Sequence, residues 1–134
     1  AWGFGIETGT QAVRLILSGI FDRYPKLKIF LGHFGEAIPF WLPRIHESFT
    51  RPGNENIDFN RIFKENFWIT TSGFFSDNAL ELCLKVLNAE KILFAVDWPY
   101  ANNKVGVDWL ANAPIDTHTK KMIFSENAQN LFNL

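Results

Sequence analysis

The chain has 134 residues, 47% apolar, 16% aromatic and 20% charged, with a formal net charge of −1 at pH 7. That is enough apolar material for the core of one domain of ordinary size, and the balance leaves no electrostatic footprint for nucleic acid or an acidic membrane surface as partner. No apolar run approaches the roughly 20 residues that span a bilayer, and Ala1-Trp2-Gly3-Phe4-Gly5 lacks the basic segment that opens a signal peptide.

There is no initiator Met, and the first residues read as the middle of a loop, so the expected protein begins well upstream. Thr8 or Thr10 can cap a helix with Ala12, Val13, Ile16, Leu17 and Ile20 on one face, ending before Tyr24-Pro25. Lys28 to His33 reads as a strand. Pro39 suits the first turn of a helix from about Pro39 to Ser48, which Pro43 should kink or loosen. Arg51-Pro52-Gly53-Asn54 is a turn cluster, and a short helix with Ile57, Ile62 and Phe63 inward follows. Phe67 to Ser72 is the second strand, stopped by Gly73. Ser76 or Asp77 caps a helix to about Leu87, Ile92 to Asp97 is the third strand, and a helix spans about Val105 to Asn112. Thr117 caps a last helix with Met122, Ile123, Ala128, Leu131 and Phe132 apolar.

Strands alternating with helices imply right-handed crossovers and a parallel sheet, and strands apolar on both faces suit helices on one side and a barrel interior on the other. Three strands would leave bare edges, so the expectation is part of a larger α/β domain: a fragment, or a half that associates with another chain. Cys83, the one cysteine, falls on an apolar helix pattern. It reads as a buried thiol with no disulfide partner in the chain, which fits a reducing, cytoplasmic compartment.

Two ionisable residues stand where strands run out into loops: His33 in Leu31-Gly32-His33-Phe34-Gly35-Glu36, and Asp97 in Ala95-Val96-Asp97-Trp98-Pro99-Tyr100. Active sites of parallel α/β sheets and barrels collect at that end. Strand alternation would turn Ile29 and Leu31 with His33 into a barrel mouth and put Phe30 beneath the helices. It would turn Leu93 and Ala95 inward with Asp97, and Phe94 and Val96 toward the helices. With the strand of Thr70 between them, the backbones at 33 and 97 would be about 10 Å apart, near enough to share one ion or substrate. Each residue also has a plainer reading, His33 as a hydrogen-bonded loop residue and Asp97 as a turn cap. Glu36 either fixes the His33 tautomer or sits at a helix N-terminus that favours a carboxylate. Arg44 either grips a substrate carboxylate or is one surface arginine among several. His46 and His118 read as solvent-facing. Trp41, Trp98 and Tyr100 read as core or rim packing. No glycine-rich phosphate cradle, nucleophile elbow or paired-cysteine zinc motif is present.

Several runs taken together resemble a known family. They are Trp2-Gly3-Phe4 with Glu7-Thr8; Leu31 to Glu36 with Pro39-Phe40-Trp41 and Arg44; Thr70-Thr71-Ser72-Gly73; Phe94 to Tyr100; and Ser125-Glu126-Asn127-Ala128-Gln129-Asn130-Leu131-Phe132. In this order they resemble the C-terminal part of the amidohydrolase-related, metal-dependent decarboxylases, a group that includes the γ-resorcylate, 2,3-dihydroxybenzoate and aminocarboxymuconate-semialdehyde decarboxylases. The resemblance covers essentially the whole chain, residues 1–134. It implies an α/β fold, the C-terminal part of a (β/α)8 TIM-type barrel, with about three parallel strands and their covering helices. It implies one divalent ion, zinc or manganese, at the barrel mouth, with Asp97 as a metal ligand and the proton donor to the aromatic ring. It further implies His33 near the metal against substrate or water, Glu36 as the acid that orients it, and Arg44 in substrate binding.

The family's opening Glu-x-His or His-x-His pair and its later metal histidine do not appear in the chain, so most metal ligands and the N-terminal barrel half are expected upstream. The expected activity of the full-length parent is non-oxidative decarboxylation of a hydroxylated aromatic acid, with a small aromatic acid as substrate and a homo-oligomer as the assembly. Two other readings stand beside it: hydrolysis of a cyclic amide or lactone by a related amidohydrolase-type barrel with Asp97 as base, and a catalytically silent fragment or assembly half.

Overall fold

A computed structural model describes residues 1–53 and 57–134; Asn54, the last residue of the expected turn cluster, lies outside the described residues. The elements are α1 (Trp2–Leu17), α2 (Ile20–Arg23), β1 (Ile29–Leu31), a tight turn at His33–Glu36, α3 (Ile38–Phe49), α4 (Phe59–Asn66), β2 (Phe67–Thr70), α5 (Asp77–Leu87), β3 (Ile92–Leu93) and α6 (Asn103–Asn112), followed by α7 (Thr117–Lys121), a π-helical stretch (Met122–Glu126) and α8 (Asn127–Phe132). Among the described residues the strands form one parallel sheet in the order β1-β2-β3, in register Ile29 with Phe67 and Ile69 with Ile92.

Local chemistry explains most boundaries. Ser76 accepts from the Ala79 N–H at 3.4 Å and starts α5, Asn102 accepts from Lys104 and Val105 and starts α6, and Asp58 accepts from Arg61 and starts α4. The last helix is capped by Asp116, which accepts from Thr119 at 2.9 Å; Thr117 is its first helical residue rather than the expected cap. At the other end the chain is helical from Trp2, so the loop expected there does not form. Thr8 and Thr10 lie inside α1, and the Thr10 hydroxyl donates to the Ile6 carbonyl at 2.7 Å instead of capping. Gly5 and Gly9 pack closely against Glu36, which offsets the low helix propensity of those two glycines. α3 runs through Pro43 without interruption. The strands are shorter than expected: among the described residues β3 has only β2 beside it, and the Phe94 N–H leaves the sheet to donate to the Ile123 carbonyl at 2.9 Å.

The core lies between one face of the sheet and the helices. Phe67 and Ile69 of β2 are fully buried there with Leu31 and Ile92, and a run of rings continues outward: Phe67 to Phe63 at 5.0 Å, Phe63 to Phe59 at 6.4 Å, Phe59 to Phe49 at 6.0 Å between centroids. Phe63 stands in the middle with no exposure. Phe63→Ala is expected to cost about 3–5 kcal/mol, the usual result of emptying a packed aromatic site, read as a lowered denaturation midpoint with an unchanged slope.

Cys83 is buried, as expected, with its thiol 3.7 Å from the Phe34 carbonyl. Burial pushes the thiol from an ordinary value of 9.0 up to about 12. The unfolded chain therefore releases this proton first. The stability gained from keeping the thiol neutral is complete below pH 9 and is lost as the pH climbs toward 12. Denaturation midpoints measured across that range should fall more steeply for the wild type than for Cys83→Ala, which lacks this titration; parallel curves would contradict the expectation.

The opposite sheet face carries Phe30 and Trp68, with rings 6.2 Å apart, and Phe132 stacks on Phe30 at 5.7 Å. This reverses the expected sense of β1. Leu31 is buried in the helix-side core, while Phe30 is 41% exposed on the open face. Alternation does not carry through to His33, because the strand ends at Leu31 and the backbone changes hand at His33. For β3 the expected sense is observed: Leu93 shares the register position of Thr70, and Phe94 packs on Phe124 at 5.0 Å.

Candidate active site

The turn that follows β1 is unusual. His33, Phe34, Gly35, Glu36 and Ala37 all have positive φ, at 45°, 54°, 80°, 53° and 63°. L-residues adopt this left-handed region at a cost on the order of 1–2 kcal/mol each, and normally one at a time. The turn is closed by the Gly35 N–H donating to the Gly32 carbonyl at 2.7 Å. Its result is to bring two side chains three residues apart into contact: His33 Nδ1 lies 2.7 Å from Glu36 Oε1. The Glu36 side chain is 5% exposed and lies against α1, where a β-carbon on Gly5 would fall 2.9 Å from Glu36 Oε2. Phe4, one residue earlier, sets its ring edge-on to the His33 imidazole with centroids 5.7 Å apart.

The other ring nitrogen faces the third strand. His33 Nε2 lies 3.4 Å from Asp97 Oδ2, and the two side chains are 30% and 36% exposed. Asp97 is also left-handed, with φ 73°, and its carbonyl accepts from the Tyr100 and Ala101 N–H groups at 2.8 and 3.0 Å. The separation expected from two strand spacings is thus bridged by the side chains. Gly73 makes this possible. It has φ 62°, and a β-carbon there would lie 2.9 Å from Asp97 Oδ2 and 3.3 Å from His33 Nε2, so any side chain would occupy the space the two groups share.

The imidazole is held between two carboxylates. With Nδ1–H donated to buried Glu36, the neutral ring turns the Nε2 lone pair toward Asp97, and the charged ring turns an N–H there. The Asp97 carboxylate is a hard oxygen donor that fits a divalent ion, with the oriented His33 Nε2 beside it free to meet substrate or water. Among the described residues no three His, Cys, Asp or Glu side chains gather as a metal-binding group.

The other expected site residues lie elsewhere. Arg44 stands on the exposed face of α3, one turn from exposed Phe40 and Trp41, and forms no ion pair among the described residues. His46 is half-buried rather than solvent-facing, its Nδ1 sealed from water 3.9 Å from Asp58 Oδ1. His118 is exposed, as expected, and lines a cavity of about 480 Å³ with Lys28, Trp68 and Glu90, at the opposite ends of the strands. Trp98 and Tyr100 are exposed and belong to a rim, not a core. Sequence reasoning missed Gly5, Phe4, Ser72 and Gly73 as parts of the site. The available signal was Thr70-Thr71-Ser72-Gly73, a run of small polar residues at the same strand end as His33 and Asp97.

A family model described as Amidohydrolase matches residues 1–134. The chain belongs to the amidohydrolase family. Gamma-resorcylate decarboxylase from Polaromonas sp. (strain JS666) is 43% identical over 141 residues, covering 99% of this chain and 42% of that protein. The crystal structure of a dihydroxybenzoic acid decarboxylase from Polaromonas sp. JS666, with bound manganese and the inhibitor 2-nitroresorcinol, matches with a TM-score of 0.93 at 41% identity, covering 99% of this chain and 42% of that one. The 5-carboxyvanillate decarboxylase from Sphingomonas paucimobilis matches with a TM-score of 0.88 at 45% identity, over 98% of this chain and 41% of that one. This amidohydrolase chain therefore spans about two fifths of the length of these relatives. Its α/β architecture, with three parallel strands, corresponds to part of the TIM-barrel amidohydrolase fold.

Proposed function

We propose that the protein containing this chain catalyses metal-dependent, non-oxidative decarboxylation of a hydroxylated aromatic carboxylic acid. The observation that carries this reading is the His33 imidazole held between Glu36 at 2.7 Å and Asp97 at 3.4 Å, at the end of the parallel strands. It is supported by 43% identity to gamma-resorcylate decarboxylase. Loss of carbon dioxide requires a proton on the ring carbon that bears the carboxylate. Protonated Asp97 delivers it, the carbon–carbon bond breaks, and its electron pair returns to the ring. The Asp97 carboxylate then takes a proton from solvent. Glu36 keeps the His33 ring in one orientation, and Nε2 positions a substrate oxygen. Arg44 is the candidate for the substrate carboxylate, which its fork of donors fits bidentately. A divalent ion, zinc or manganese, held by Asp97 and by ligands outside these 134 residues, supplies Lewis acidity to the substrate oxygens.

The same reading places the protein in the cytoplasm, where a single reduced thiol at Cys83 is at home, and makes it a homo-oligomer, for which exposed Phe40 and Trp41 on α3 offer apolar contact. Light scattering on the purified protein gives the oligomeric state directly.

The deciding experiment incubates the protein, as its gene encodes it, with a panel of hydroxybenzoates and follows carbon dioxide. A parallel panel follows cleavage of cyclic amides and lactones. Carbon dioxide release that a chelator abolishes and added zinc or manganese restores is expected. Hydrolysis without carbon dioxide would move the assignment to the hydrolase reading. A protein that holds no stoichiometric metal and turns over neither panel is the silent assembly half.

A further inference from the structure

β1 ends at Leu31, so the His33 N–H has no strand to donate to. Its partner is a side chain: Ser72 Oγ, 3.3 Å away across 39 residues of sequence. Ser72 is buried, and its hydroxyl lies 2.9 Å from Thr70 Oγ1, which also accepts from the Ser72 N–H at 3.4 Å. The residues on either side of Ser72 are tied to the third strand's exit. Thr71 Oγ1 donates to the Ala95 carbonyl at 2.8 Å and accepts from the Ala95 N–H at 3.1 Å, and the Gly73 N–H donates to the Val96 carbonyl at 3.1 Å. One four-residue segment, Thr70 to Gly73, is therefore fastened on one side to the turn carrying His33 and on the other to the backbone just before Asp97.

We propose that Ser72 is a positioning residue. By accepting the His33 N–H, with Thr70 fixing its own hydroxyl, it sets the left-handed turn so that the imidazole meets Glu36 and Asp97 at once. The proposal rests on the reading of His33 as functional. The turn is costly for the chain to hold, and its first residue would otherwise have a backbone donor left unsatisfied in a partly buried place. Without that anchor the ring keeps its chemistry but not its placement.

The test compares wild type, Ser72→Ala, Ser72→Thr and Thr70→Val in the encoded protein, with a thermal midpoint for each. Nitrogen-15 spectra of the histidine side chains at one fixed pH read the His33 ring, whose signals are assigned by their absence in His33→Ala. In wild type the ring should show one Nδ1–H state, held by Glu36. Ser72→Ala should average that state with the other tautomer and lower kcat about 10- to 100-fold, the usual effect of a slightly misplaced group, with KM within about threefold. Ser72→Thr, which keeps the hydroxyl, should keep the wild-type signature. Unchanged His33 signals in Ser72→Ala would overturn the proposal, whatever happens to its thermal midpoint. If Ser72→Ala does not fold, Thr70→Val decides: a smaller change of the same kind supports the proposal, and none refutes it. If wild type releases no carbon dioxide, the decarboxylase reading fails, while the spectra still decide the placement of the ring.

Discussion

Asp97→Asn is expected to abolish turnover while leaving the fold in place. The substitution keeps the shape of the side chain. Asparagine accepts the left-handed backbone, here φ 73°, more readily than most residues, and the bonds from Tyr100 and Ala101 end on the backbone carbonyl of residue 97, not on its carboxylate. What disappears is the negative charge, the ionisable proton and one metal-binding oxygen. Losing general-acid catalysis alone is worth about 10²–10⁴ in rate, and a weakened metal site multiplies the loss. Carbon dioxide release should therefore fall by about 10³-fold or more, elemental analysis should find less bound metal, and the thermal midpoint should move only slightly. Near-normal release from Asp97→Asn would remove this residue from the mechanism and leave it as a turn former.

How much of this site was legible in the sequence depends on how far each residue lies from regular structure. Asp97 lies where it was expected, although alternation is observed only at Leu93 and Phe94 and β3 itself ends at Leu93. His33 arrives at the expected place by another route. Alternation predicted its direction from Ile29 and Leu31, yet those two pack under the helices, and the imidazole is swung into position by a turn of the opposite hand. Five consecutive positive φ values are not a property that residue types announce, since only Gly35 among the five is a glycine. They become favourable through contacts distant in sequence: Glu36 against Gly5 of α1, and the His33 N–H on Ser72 after β2. The same holds for α1, whose Gly5 and Gly9 pack against the distant Glu36. Two caps were legible to within a residue, because Ser76 and Asp116 act through bonds to their immediate neighbours; the cap of α1 was not, and Asn102 starts α6 two residues before the expected helix. Gly73 read as the stop of a strand reaching Ser72, but β2 already ends at Thr70, and the role of Gly73 as the gap between Asp97 and His33 needed coordinates.

The strained turn also allows the two roles of His33 to be separated by a pair of substitutions. His33→Ala removes the imidazole and leaves the buried Glu36 carboxylate without its 2.7 Å partner. An orphaned buried acceptor costs about 1–3 kcal/mol, and an alanine at φ 45° keeps the left-handed strain that the histidine already bears. Some loss of stability is therefore expected even if the residue does nothing in catalysis. His33→Asn answers this. Asparagine tolerates the left-handed region, and its amide can donate to Glu36, so it should recover at least part of the stability that alanine loses. It cannot present Nε2 to Asp97 or to a substrate. Turnover should thus remain about 10²-fold or more below wild type in both variants, while denaturation midpoints separate them. If carbon dioxide release instead rises with stability from alanine to asparagine to histidine, His33 is a structural residue of the turn, and the chemistry at Asp97 requires a different partner.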